Sequence, residues 1–361
     1  MNQSNEQNTR MTGNIFVYYA YDVGEDIDLG AIEQSNTILT RPLNLAKYFK
    51  GYHVPLAIDL PHPHTSSHSI GAKLHNFGVI SLAYRIPFAD TLENLREQLN
   101  EVDIAFREQS VEDAHLVFKK IKKFIKQPRF FHLRSSYVLI QVDQQSANTS
   151  ISEFKREYGG IIASLLRFET ESLSEYQKNA ILESTIGYYR GDMIVIDIDS
   201  AFLYDSEYED LLELFEFANI QKVELQYYDR LLDQQLNVVY QRNITAVSIK
   251  AYLPIVGAWM RDPISDLGML RVEISAIIER LESAVKASGD VYVTETYQVL
   301  VETLDLPKWK ESIGSKLDII KDIHQVYQNK LEAVREDLLS ILIVVLIFTE
   351  LIVGILSYFK R

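Results

Sequence analysis

Cysteine is absent from the 361 residues, which removes disulfides, thiolate zinc sites and cysteine nucleophiles together and fits a reducing compartment. An excess of positive charge is missing as well. With 36 Lys and Arg against 50 Asp and Glu, the formal net charge is −14, which argues against nucleic-acid binding by the whole surface; no DNA partner is expected. Catalytic signatures are also lacking: no phosphate-cradling glycine loop, no Gly-x-Ser-x-Gly elbow and no kinase-like lysine and aspartate set occurs. No cofactor is therefore expected, and a binding or structural role is favoured over an enzyme. Residues 1–14 are polar, without the apolar core of a secretory signal or the repeated arginines of a mitochondrial presequence. They read as a disordered N-terminus.

Long apolar runs are absent except at the other end. In residues 338–359, sixteen of the twenty-two side chains are Leu, Ile, Val or Phe. Twenty-two helical residues reach about 33 Å, enough to cross a hydrocarbon core of about 30 Å. Insertion gains roughly 6 kcal/mol against roughly 3 for one acidic side chain near the middle. The segment is expected to insert as a single transmembrane helix, with membrane lipid as its partner. With no export signal, the soluble part is expected on the cytoplasmic face, in a bacterial inner membrane ahead of a mitochondrial one.

The remaining chain divides by periodicity into an α+β arrangement. Residues 15–220 alternate strand-like runs (15–21, 54–58, 77–84, 137–142, 193–198) with helical patterns (91–106, 111–126, 152–168, 174–187), which predicts a mixed α/β domain. Ser206 and Glu209 form a capping box before another helix. Residues 221–337 read as long helices broken at Pro254, Pro263, Gly289 and Pro307. Ile313, Leu317, Ile320, His324, Tyr327, Leu331, Val334, Leu338 and Ile341 alternate four and three apart, a heptad seam running into the span. Leu270, Ile274, Ile277, Leu281 and Ala284 repeat the spacing upstream. A helical hairpin within one chain and a coiled coil between chains both satisfy it.

Several clusters carry chemistry. Glu350 lies near the middle of the span, where a bare carboxylate is expensive; it is either tolerated without a role or faces a polar partner. With one span per chain that partner comes from another copy, so Glu350, Thr349 and Ser357 predict a homo-oligomer. Lys119, Lys120, Lys122, Lys123, Lys126, Arg129 and Arg134 occupy a stretch with no acidic residue, while Val117, Phe118, Ile121, Phe124 and Ile125 give it an apolar helical face. Such a patch suits lipid headgroups or a protein or RNA partner; a core-packed helix with a solvated lysine face is the plainer alternative. From Gly191 to Gln221 the charge is wholly acidic, so the two patches are candidates to meet. Asp197 and Asp199, two apart on an expected strand, share a face able to hold a hard cation. His62, His64 and His68 form a weak metal-ligand spacing in a proline-broken loop.

Phe77-Gly78-Val79-Ile80-Ser81, Asp290-Val291-Tyr292-Val293, the heptads and Leu346-Ile347-Phe348-Thr349-Glu350-Leu351 together resemble the family called required for meiotic nuclear division, chiefly over residues 265–357. That family is also catalogued as a domain of unknown function. The resemblance implies an oligomeric, non-catalytic, membrane-anchored protein with a glutamate in its span, corresponding to Glu350. Animal mitochondrial relatives support translation at the inner membrane. The expectation is a non-enzymatic homo-oligomeric tether that recruits a cytoplasmic partner. A membrane-bound metal-dependent hydrolase or nucleotide-processing enzyme using the histidines or Asp197 and Asp199, and an oligomeric pore lined by Glu350, are the alternatives.

Overall fold

The computed structural model describes residues 9–43, 54–61, 68–130, 134–144, 150–187, 191–205, 208–241 and 291–359, with positions 268, 271, 272, 274 and 275. Its strands are β1 (Met11–Asp22), β2 (Asp26–Ile27), β3 (Thr40–Arg41), β4 (Leu56–Ile58), β5 (Ser69–His75), β6 (Val79–Asp90), β7 (Ile125–Lys126), β8 (Arg134–Val142), β9 (Thr185–Ile186), β10 (Met193–Ile196) and β11 (Ser200–Tyr204). The helices are α1 (Leu29–Ser35), α2 (Leu92–Ile121), α3 (Ile151–Leu166), α4 (Glu175–Glu183), α5 (Glu209–Gln241), α6 (Val291–Thr303) and α7 (Leu306–Phe359). The chain forms two compact units: residues 1–227 with 277–310, and residues 228–276 with 311–361.

The first unit is built on a sheet in the order β3-β4-β5-β6-β1-β8-β11-β10-β9. Its pairs are antiparallel except β8 with β11, which run parallel. Period-two alternation along β1 sends Ile15, Val17, Tyr19 and Tyr21 to one face. There they join Leu82 and Tyr84 of β6, Val138 and Ile140 of β8, and apolar residues of α2, α3 and α4 in the main core. The opposite face is covered by the first half of α5, where Phe215 stacks on Tyr137 at 5.5 Å, and by α6, whose Tyr297 hydroxyl donates to Gln221 Oε1. An α/β domain with helices on both faces of the sheet results.

Local chemistry sets the boundaries. Strand β1 starts at Met11, four residues before the expected Ile15, because Met11 and Thr12 still find register partners in Asp90 and Ala89. Thr91, Ser150 and Ser174 cap α2, α3 and α4, each accepting from the backbone N–H three residues on. The two helices expected at 91–106 and 111–126 are one helix, α2. No glycine or proline interrupts it, and buried Ser110 bonds Arg107 O and the Tyr21 hydroxyl. Helix α2 ends at Ile121, so the basic stretch leaves it for a 3₁₀ turn, Lys122–Phe124, and then β7. Between β5 and β6, Gly78 has φ +97, and a Cβ there would run into the Gly24 carbonyl. Its own carbonyl accepts from Val23 N–H at 2.8 Å.

In the second unit, Asp229 of α5 accepts from Ser312 Oγ at 2.6 Å and from Lys316 Nζ at 2.7 Å. Lys316 also pairs with Asp233 at 2.7 Å. Leu232, Leu236, Ile274, Ile313, Leu317 and Ile320 are buried there. Pro307, expected as a break, is the second residue of α7, where the missing N–H has no intrahelical partner to lose. Helix α7 has 54 residues, about 80 Å at 1.5 Å each. The breaks at Pro254, Pro263 and Gly289, the Ser206 cap, and heptad positions Leu270, Ile277, Leu281 and Ala284 lie outside the described residues.

Candidate functional site

The C-terminal part of α7 is the most exposed apolar surface among the described residues: Ile341, Val344, Phe348, Val353 and Leu356 are each more than 60% exposed, as 63%, 65%, 64%, 65% and 63%. Helix α7 is long and apolar enough to cross a membrane, and among the described residues none of its most apolar stretch is buried. Two of the three polar residues expected to join copies are satisfied locally. Thr349 Oγ1 donates to Leu346 O at 2.8 Å and Ser357 Oγ to Gly354 O at 2.9 Å. Glu350 is exposed and is the one carboxylate in the stretch. The heptad seam changes character along the helix. Ile313, Leu317 and Ile320 are buried inside the second unit, whereas His324, Tyr327 and Val334 are half-buried. Nothing is described for the side chain of Leu331.

The basic residues separate into two groups. Lys119, Lys120, Lys122, Lys123 and Lys126 are exposed, because Val117, Ile121 and Ile125 on the same segment are buried in the core. Lys126 pairs with Glu25 at 3.1 Å. Arg129 instead points inward, 3.6 Å from Asp22 and over the Tyr227 ring at 4.2 Å. Arg134 donates to Arg107 O.

The acidic stretch does not meet the lysines through any ion pair among the described residues. Asp197 pairs with Arg167 at 2.6 Å and Asp199 with Lys222 at 3.1 Å. Both lie in the turn between β10 and β11, since β10 ends at Ile196. The shared strand face expected for a cation is therefore not formed, and each carboxylate faces its own cation. His68 packs edge-on to Phe106 at 6.0 Å and its carbonyl accepts from Arg85 N–H. His62 and His64 lie outside the described residues. Among the described residues no group of three His, Asp or Glu is placed to hold a metal.

Three buried polar systems on the α5 face of the sheet were missed by sequence reasoning. Lys73 Nζ reaches Glu216 Oε2 at 2.6 Å while Ser81 Oγ donates to Oε1 at 2.6 Å. Burial works to raise the Glu216 carboxyl, but the charge and hydrogen bond of Lys73, with Ser81, outweigh it and hold the group below its ordinary value. Burial pushes neighbouring His75 down to about 3, against the pull of Glu216. A cavity of about 290 Å³ opens beside this pair, lined by Tyr18, Arg41, Lys73, Glu213 and Glu216 among others. The second system is Asp22, Arg129 and Glu224. Burial raises Asp22 to about 6, with Arg129 opposing, and raises Glu224 strongly, with the Asp22 charge adding. Among the described residues neither Glu224 oxygen has a hydrogen-bond partner. The third crosses three strands: Arg85 Nε donates to Asn14 Oδ1, Asn14 Nδ2 to Gln141 Oε1, and Gln141 Nε2 to Asp143 Oδ1. The available signal was polar residues at alternate positions of otherwise apolar strands: Asn14 and Asp22, Lys73 and His75, Ser81 and Arg85.

Fold and site together define a layered α/β protein with a long helix, α7, that is long and apolar enough to cross a membrane. Residues 12–210 match the family described as "Uncharacterized protein MJ0711, N-terminal domain"; the match covers more than half of the chain, which therefore belongs to that family. The protein "Uncharacterized protein MJ0711" of Methanocaldococcus jannaschii is 22% identical over 303 residues, covering 78% of this chain and 90% of its own. No solved structure matches the chain. The family match thus lies on the α/β unit, not on residues 265–357, where the likeness to the meiotic nuclear division family was read; membership of that second family is not shown.

Proposed function

We propose that this protein is a non-enzymatic, membrane-anchored homo-oligomeric tether: α7 fixes it in the bilayer, copies associate through the span, and the α/β unit recruits a cytoplasmic partner. The observation that carries this reading is the exposed apolar end of α7, which in water presents a continuous surface of the length and character that a bilayer covers. Association is assigned to Glu350. Because Thr349 and Ser357 bond their own helix, the carboxylate is left as the group that seeks a partner on a neighbouring span. The likeness of residues 265–357 to the meiotic nuclear division family supports an oligomeric anchored protein and suggests a translation-linked partner.

Crosslinking of the full chain in membranes tests this. The wild type is expected to give discrete multimers, and Glu350→Leu to reduce them several-fold while leaving the protein in the membrane. Unchanged multimers in Glu350→Leu would remove Glu350 from the interface. Protease added to intact spheroplasts reads the topology; digestion of the α/β unit there would reverse it.

A further inference from the structure

We propose that the lysine ridge Lys119, Lys120, Lys122 and Lys123 binds the anionic headgroups of the bilayer that holds the chain's own span, an inference that rests on the anchored reading above. The four ammonium groups leave the surface at the end of α2 and the following 3₁₀ turn, and all four residues are exposed. Among the described residues none of them has a carboxylate partner, in contrast to Lys126 with Glu25. Two of them stand over rings: Lys122 Nζ lies 5.9 Å from the Phe118 ring centroid and Lys123 Nζ 4.7 Å from that of Phe124. With Ile121 and Ile125 buried beneath, the segment cannot roll its charges inward.

Two considerations choose lipid over a free polyanion. Phe118 and Phe124 are half-buried under the lysines, so the ridge offers no open ring on which bases of a single strand could stack. Strength is the second. A lysine near an anionic bilayer improves binding about fivefold, so four give a dissociation constant of the order of millimolar. That is too weak for a chain of net charge −14 to capture a polymer from solution. A contact of this strength counts only where a covalent anchor raises the local concentration of the headgroup surface, as a span in the same chain would.

The test uses the full chain in lipid nanodiscs, either zwitterionic or containing about one-third phosphatidylglycerol, pulsed with an amine-reactive reagent and read peptide by peptide. In anionic discs at low salt, labelling of the four lysines is expected to slow about threefold or more, and to recover in about 0.5 M salt. Lys178 and Lys308, which carry their own carboxylate partners, should be unaffected. Equal rates in the two kinds of disc would overturn the proposal, as would protection by added RNA in zwitterionic discs without protection by anionic lipid. Failure of the chain to enter discs at all would instead refute the anchor, so the two readings fail separately.

Discussion

At the scale of single residues, the polar groups on the α5 face of the sheet govern stability and its pH dependence. Lys73 and Glu216 form a buried, doubly bonded pair, and removing one partner leaves the other charged in the interior. Lys73→Met is therefore expected to destabilise the α/β unit by about 3–5 kcal/mol, whereas the double change Lys73→Met with Glu216→Leu recovers most of that loss; thermal midpoints of the detergent-solubilised chain check both. Asp22 and His75 act in opposite senses. Asp22 is raised to about 6, so its contribution is complete below the unfolded carboxylate value near 3.8 and is lost as pH climbs through 6. His75 is lowered to about 3, so its contribution is complete above 6.5 and is lost as pH falls towards 3. Between pH 4 and 6, His75→Asn should flatten the rise of stability with pH and Asp22→Asn should steepen it. Identical slopes in the two variants would contradict these environments.

At the scale of elements, the chain's local signals and its structure agree where periodicity is long and uninterrupted. The strands around Ile15–Tyr21 and Tyr137–Val142 and the apolar end of α7 are legible because each repeats one pattern over many residues. Less legible was the path of the basic stretch. Its apolar residues Val117, Phe118, Ile121, Phe124 and Ile125 fit a helix, yet the last of them pairs with Ile27 in a two-stranded ribbon, a tertiary contact that helical spacing cannot reveal. The buried pairs were hidden for a similar reason: Lys73 and Glu216 are 143 positions apart, and only the sheet brings them together. Caps, by contrast, are local. Ser150→Ala removes the acceptor for Glu153 N–H and should cost about 1 kcal/mol. In the second unit, Asp229 holds both Ser312 and Lys316, so Asp229→Ala should increase hydrogen exchange in residues 228–241 and 311–320 while leaving the β1–β8 ladder protected. Loss of protection in the ladder as well would show that the second unit and the sheet unfold together.

At the scale of the whole molecule, the features divide between an α/β unit with a large buried core and a helix that ends in exposed apolar surface. The family match on residues 12–210 belongs to the former; the tethering proposal depends on the latter. The plainest test is extraction of membranes containing the full chain with alkaline sodium carbonate, followed by flotation. The account predicts that the protein stays with the floating lipid after this treatment and after high salt, and that deletion of residues 338–359 releases it. Recovery of the intact chain in the soluble fraction would contradict it.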